Sequence, residues 1–199
     1  METSARLQAQ LSFLTEIDKL KMIQRRNYLM DGSRIENTAE HSWHIAVLAG
    51  ILQEHSNEAV NLEHVLLMLL MHDIVEIEAG DTYAYDETGN QDKEAREHAA
   101  ADHLFGMLPP DQCKLFKTLW LEFEDMQTPE SRFANTVDRV LPLFQNFNSG
   151  GKVWVKNKIK KSQVLKRMQP IKDGSEALWQ ASLQIMNQAI QNGYIVDDL

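Results

Sequence analysis

With 199 residues, of which 43% are hydrophobic, the chain has the size of one compact domain that can bury a substantial core. Its formal net charge of -9 argues against a general electrostatic surface for nucleic acid or anionic membranes, so an anionic substrate would need local help from a metal ion or arginine. A single cysteine, Cys113, excludes an intramolecular disulfide, and without a signal-like N-terminus or a run of about 18 apolar residues we expect a cytoplasmic protein that does not enter membranes.

Two amphipathic helices are predicted near the N-terminus. Apolar residues spaced by three and four positions indicate the first helix over residues 7–24, and we expect it to pack on the domain from outside. Asn37 and Thr38 are both suitable N-caps for the second helix, which begins with Glu40 and His41. His41 is therefore expected in the first turn of that helix.

A far more apolar third helix follows an N-cap near Asn61. Residues 65–71 have no polar face, so this helix should be surrounded by other helices. A buried strand is the competing interpretation of so short a run, but its leucine and methionine content favours a helix. Gly80 ends the helix, and the polar composition of residues 81–92 predicts an ordered surface loop.

Three more helices are predicted in the middle of the chain. The fourth covers residues 93–107, the fifth starts at Pro110, and Thr128 caps the sixth. The buried stripe of the sixth helix is predicted to consist of Phe133, Ala134, Val137, Leu141 and Phe144. Asp138 lies among these apolar residues, and a carboxylate in that position calls for an explanation.

The C-terminal part is rich in basic residues between 152 and 167. Interleaved apolar residues favour a solvated helical face over a nucleic-acid-binding patch. Ser175 caps a last helix. Since every predicted element is helical, we expect an all-α single domain over residues 1–199, with C-terminal helices at about 152–192 packing on the rest.

An imidazole beside a carboxylate, His72 and Asp73, follows the apolar run of the third helix. Imidazole nitrogen and carboxylate oxygen together suit divalent cations of borderline hardness. Adjacent side chains leave a helix about 100° apart, so this pair needs further ligands from neighbouring helices. His41 and Asp138 are the best-placed candidates, although singly the first could be a surface histidine and the second a hydrogen-bonded carboxylate.

The spacing of these four residues resembles the H…HD…D pattern of the HD-domain metal-dependent phosphohydrolases. The local context is also similar, because residues 34–42 (RIENTAEHS) and 72–81 (HDIVEIEAGD) look like the two signature blocks of the family's small 5'-deoxynucleotidase branch. The resemblance covers roughly residues 7–147. It implies an HD-type bundle of antiparallel helices around a buried metal site.

The resemblance implies a role for each of eight residues. The metal ligands would be His41, His72, Asp73 and Asp138, holding one divalent ion such as Mn, Co, Mg, Fe, Ni or Zn. Glu76 and Asp81 would serve catalysis and substrate positioning, and Glu76 shares the face of the ligand pair through its spacing. Arg26 and Arg34 would contact substrate, the former its phosphate. One departure concerns sugar selection, because Asn27 stands where the best-known members have tryptophan.

The expected reaction is hydrolysis of (deoxy)ribonucleoside 5'-monophosphates to nucleoside and phosphate by a homodimer of the kind that related proteins form. Two alternatives remain open. The first is an HD-type phosphodiesterase or triphosphohydrolase, since the fold does not determine the substrate. The second is a non-catalytic metal-bound scaffold, which would need the metal ligands but not Glu76 and Asp81.

Overall fold

A computed structural model describes residues 4–85 and 91–199, so part of the predicted loop, residues 86–90, lies outside the described residues. The helices of six or more residues are α1 Ala5–Ile17, α2 Thr38–Leu52, α3 Leu62–Met71, α4 Lys93–Gly106, α5 Pro110–Asp125, α6 Pro129–Asn148, α7 Lys152–Asn157, α8 Lys161–Met168 and α9 Glu176–Gln191. The all-α prediction is thereby confirmed. None of the helices in the described ranges is long and apolar enough to cross a membrane.

The N-terminal region differs from the predicted long helix. α1 ends at Ile17 and is followed by a 3-10 turn, Asp18–Met22, and then by strand β1, Gln24–Tyr28. β1 pairs antiparallel with β2, Ile35–Asn37, and Gly32 turns the chain between them with a positive φ of 69°. The last residues of the predicted helix thus form the 3-10 turn and the start of this two-stranded ribbon. α1 buries only Phe13, which confirms that it packs from outside.

The third helix is interrupted where a continuous helix to Gly80 was expected. α3 ends at Met71, and a 3-10 turn, His72–Val75, connects it to a single helical turn, Glu76–Ala79. Gly80 ends this turn with a φ of 75°, a conformation that glycine adopts without strain. The interruption changes the directions of the side chains that follow it, because a 3-10 helix has three residues per turn.

α6 is the central helix of the fold. It packs against α2, α3, α5 and α9 and against a short turn, Ile171–Gly174. A Cβ atom at Gly174 would lie 2.4 Å from the carbonyl oxygen of Arg132, so this close approach requires glycine. The expected stripe of α6 is buried except for Phe144, which is 37% exposed. Phe144 instead borders an apolar surface hollow that it shares with Met30 and Ile51.

Candidate metal centre and the surrounding cavity

Two buried imidazoles come from the first turn of α2 and from the residue that follows α3. α2 starts at residue 38 because of a capping box: the Asn37 side chain accepts the Glu40 N–H at 2.9 Å, and the Glu40 carboxylate accepts the Asn37 N–H at 3.2 Å. This box places His41 one turn into the helix, where it is fully buried. His72 donates from Nδ1 to the carbonyl of Leu69 at 2.8 Å, which leaves its buried Nε2 without a hydrogen-bond partner among the described residues.

Two carboxylates complete this group. Asp138 Oδ1 lies 3.0 Å from His41 Nε2 and 3.8 Å from His72 Nε2. Asp73 Oδ1 lies 3.0 Å from His72 Nε2, and its Oδ2 lies 3.9 Å from His41 Nε2. One ligand atom from each of His41, His72 and Asp73 falls within 4.8 Å of the others. The structure thus brings the four residues close together, and the nitrogen and oxygen donors of His41, His72 and Asp73 can hold a divalent metal ion.

The carboxylates of Asp73 and Asp138 favour a positive charge beside them. Burial opposes the negative charges of Asp73 and Asp138, but the facing histidines outweigh it and hold the pKa of both carboxyls below the usual range. Burial also opposes a proton on His72, yet the two carboxylates raise its pKa well above the usual value. A cation of higher charge in the same place would be stabilised by the same carboxylates.

Behind His41 lies a buried polar network that the sequence did not predict. Glu36 Oε2 lies 3.6 Å from His41 Nδ1 and 3.9 Å from Arg25 Nε, and Gln145 Nε2 donates to Glu36 Oε1 at 2.6 Å. Asn27, the residue in the tryptophan position, is buried and donates to Gln145 at 3.2 Å. Asn27 therefore supports this network.

Arg25 also reaches the expected metal ligands. Its Nη1 donates to Asp73 Oδ2 at 2.9 Å. Burial opposes the charge of Arg25, but Asp73 and Glu76 outweigh it and raise the pKa of the guanidinium. The sequence pattern did not single out Arg25. Neighbouring side chains in a strand face opposite sides, so the direction of the Arg25 side chain follows only from the observed strand β1.

Glu76 and Asp81 line one cavity with His72 and Asp73; its volume is about 160 Å³. Glu76 is 6% exposed and accepts a hydrogen bond from Thr38 Oγ1 at 2.9 Å. Burial and the charge of Asp73 raise its pKa well above the usual value. Burial raises the pKa of Asp81 as well, and its buried Oδ2 has no hydrogen-bond partner among the described residues.

The two expected substrate arginines have different positions. Arg26 is exposed and lines the cavity near Asp81 and Tyr83. Arg34 does not line it: its side chain is 55% exposed and forms two hydrogen bonds with Glu40, at 2.8 and 2.6 Å. The structure therefore does not bring Arg34 to the other site residues, because the carboxylate that caps α2 holds it at the surface.

A second wall of the cavity was also not predicted. It includes five charged residues from α4, α5, α6 and α8: Lys93, Glu97, Glu124, Arg139 and Arg167. Burial raises the pKa of Glu97 to about 7, against the attraction of Lys93. Burial and the neighbouring charge of Arg167 lower the pKa of Arg139 to about 10. Arg167 of the basic C-terminal segment thus faces the cavity, whereas the basic residues of this segment were expected to form a solvated face.

The fold is that of an HD domain. Residues 17–179 match the sequence profile of the HD domain, and the chain belongs to this family. It is similar, at 47% identity and a TM-score of 0.92 over 96% of both chains, to the crystal structure of a predicted metal-dependent phosphohydrolase from Magnetospirillum magnetotacticum MS-1.

Two curated relatives are more distant. The chain is 26% identical over 136 residues to the human 5'-deoxynucleotidase HDDC2, a match that covers 68% of this chain and 65% of that protein. It is 27% identical over 175 residues to the 5'-deoxynucleotidase YfbR of Salmonella arizonae, covering 80% of this chain and 86% of that protein. The chain thus spans just under two thirds of the length of the human relative.

Proposed function

We propose that the protein is a metal-dependent phosphohydrolase with His41, His72, Asp73 and Asp138 as its metal ligands. The observation that carries the proposal is the convergence of two buried imidazoles and two carboxylates, with His72 fixed through Nδ1 so that its Nε2 faces Asp73 and Asp138. A divalent ion held by these residues would supply Lewis-acid chemistry, polarising a phosphoryl oxygen and favouring ionisation of water. Mn, Co, Mg, Fe, Ni and Zn all suit this donor set.

The chain's own residues supply the remaining chemistry. Glu76 orients the attacking water and accepts its proton, a role that its burial and raised pKa support. Arg26 neutralises charge on the substrate phosphate, and Asp81 contacts the sugar or the attacking water. Their position on the same cavity supports these two assignments. Arg34 would reach the substrate only by leaving Glu40, so it is the weakest of the expected contacts.

We infer that the substrate is a nucleoside 5'-monophosphate, with deoxyribonucleotides as the first choice. Similarity to two 5'-deoxynucleotidases supports this choice. Asn27 lines the cavity and donates to Gln145, and its amide side chain lacks the aromatic surface that tryptophan would offer the substrate. We therefore expect weaker discrimination between deoxyribose and ribose than in members that carry tryptophan.

The test is phosphate release from a panel of nucleoside mono-, di- and triphosphates and cyclic nucleotides, after removal of metal and addition of each candidate ion. We expect metal-dependent turnover of 5'-monophosphates. Turnover of only cyclic or triphosphate substrates would favour the phosphodiesterase or triphosphohydrolase alternative. Metal binding without turnover of any substrate would favour the scaffold.

A matched pair of variants makes this test sharper. Glu76→Gln should lose activity, whereas Glu78→Gln, in the same helical turn, should retain it because Glu78 pairs with His103 and does not line the cavity.

Two further assignments rest on the sequence and the resemblance. We propose a homodimer without nucleic-acid or membrane partners, to be tested by light scattering of the purified protein. A cytoplasmic location is proposed from the single cysteine and would be tested by fractionation.

A further inference from the structure

Two arginines lie against the face of Asp138 that the histidines do not use. Arg139, the next residue on α6, places Nη1 3.8 Å from Asp138 Oδ2, and Arg167 on α8 places Nη2 3.6 Å from the same oxygen. Both side chains line the cavity. Neither distance is that of a hydrogen bond, so Asp138 attracts the two guanidiniums without satisfying their donors.

Much of the donor capacity of these arginines is unused. Arg139 Nη1 donates to the carbonyl and side-chain oxygens of Asn135, at 2.9 and 2.5 Å, and Nη2 makes a weak contact with Met126 Sδ at 3.9 Å, but the buried Nε has no partner among the described residues. Within residues 4–85 and 91–199, Arg167 has no hydrogen bond and no ion pair other than that with Asp138. A guanidinium carries five N–H donors, so both groups can still bind an anion.

The acidic residues around Arg139 and Arg167 are engaged with other groups or lie too far away to pair with them fully. Lys93, on α4, pairs with Glu97 at 3.5 Å, and Glu124 on α5 is not within ion-pair distance of either arginine. Asp138 is shared, since its Oδ1 faces His41 and His72. Two guanidiniums at one carboxylate oxygen repel each other, and an anion between them would relieve that repulsion.

We propose that Arg139 and Arg167 form a binding site for the phosphoryl group of the substrate, and hence for the orthophosphate product. A phosphate monoester has several acceptor oxygens that match the planar donors of a guanidinium. The site lies on the Asp138 side of the cavity, and Arg26 approaches from the Asp81 side. The assignment of the phosphate to the substrate rests on the proposed phosphohydrolase function, but the anion site itself does not.

The experiment is calorimetric titration of the metal-loaded protein with inorganic phosphate. Arg139→Gln and Arg167→Gln should each weaken phosphate binding roughly tenfold or more, because each removes a charge-assisted contact. Arg167→Lys should weaken it less. Arg132→Gln is the matched control, since Arg132 is also on α6 but pairs with Glu58 and does not line the cavity. Its phosphate affinity should equal that of the wild type.

The metal content of each variant distinguishes two roles for the arginines: binding the anion directly, or supporting Asp138 as a metal ligand. The proposal expects the metal content to stay unchanged while phosphate affinity falls. Wild-type phosphate affinity in both variants would overturn it, as would the absence of saturable phosphate binding by the wild type. Loss of metal together with phosphate affinity would also overturn it, because the arginines would then act through Asp138. If Arg139→Gln does not fold, the more exposed Arg167 variants carry the test alone.

Failure of the proposed nucleotidase function and failure of the proposed anion site give different experimental results. If no nucleotide is hydrolysed but phosphate binding still depends on Arg139 and Arg167, the anion site stands and the proposed function falls. If 5'-monophosphates are hydrolysed and phosphate inhibits both variants as strongly as it inhibits the wild type, the function stands and the anion site falls.

Discussion

Glu97 offers a quantitative test of the electrostatics of the cavity wall. Its carboxyl is only 6% exposed and lies 3.5 Å from Lys93 Nζ. Burial raises its pKa from 4.5 to about 7, so the folded protein holds a proton on Glu97 that the unfolded chain has already released. Between about pH 4.5 and about pH 7, the folded state therefore binds more protons, and the stability contributed by Glu97 falls as the pH rises.

The size of this effect follows from the two pKa values. Above pH 7 the folded protein must hold a buried carboxylate, at a cost of roughly 3 kcal/mol relative to low pH. Glu97→Gln cannot ionise and avoids this cost. The free energy of unfolding of the variant should thus match the wild-type value near pH 4 and exceed it by roughly 3 kcal/mol near pH 8.

The assay is denaturant unfolding of metal-free wild-type and variant protein between about pH 4 and about pH 9. Using the difference between the two proteins removes the contributions of titrating groups that do not interact with Glu97. A difference that does not change with pH would refute the reasoning, as would a wild type that is the more stable protein near pH 8. Added divalent metal should reduce the difference, because a cation near Asp73 favours the ionised form of Glu97.

Three other variants test the site from different directions. Glu76→Gln should retain metal and lower turnover by roughly 10²–10⁴-fold, and unchanged turnover would remove Glu76 from the mechanism. Glu36→Gln should weaken metal affinity roughly 10–100-fold in a chelator competition assay, because the Glu36 carboxylate faces His41 Nδ1 at 3.6 Å; wild-type affinity would show that this contact does not support metal binding. Asn37→Ala should lower the free energy of unfolding by about 1 kcal/mol, and a neutral effect would mean that the capping box does not stabilise α2.

The helix starts were the most predictable part of the fold. Asn37, Asn61, Thr128 and Ser175 each accept a backbone N–H as N-caps, as expected. Capping depends on residues within one turn, so the local sequence contains the necessary information. The β1–β2 ribbon was not predicted, because its pairing joins segments whose own composition does not indicate strands.

The site was predictable where a family pattern exists. His41, His72, Asp73 and Asp138 converge although they are distant in sequence, and the H…HD…D spacing indicated this convergence. The supporting charges were not predictable in the same way. Arg25 and Glu36 lie close to recognised motifs, but their roles depend on which side chain faces inward, and that follows only from the packed structure.

The basic C-terminal segment shows most clearly what a sequence pattern leaves undecided. A lysine-rich, amphipathic stretch predicts a solvated face, and Lys166 is indeed exposed. Arg167, the next residue, faces the cavity because α8 packs against the central helix α6.

Asp138 connects the two halves of the cavity through its two oxygens. Oδ1 faces the imidazoles, and Oδ2 faces the guanidiniums of Arg139 and Arg167. A substitution of Asp138 would disturb the expected metal ligands and the proposed phosphate site together, so it could not separate them. Arg167 comes from a different helix and approaches only Oδ2, and it is therefore the residue whose replacement can change phosphate affinity while leaving the metal ligands in place.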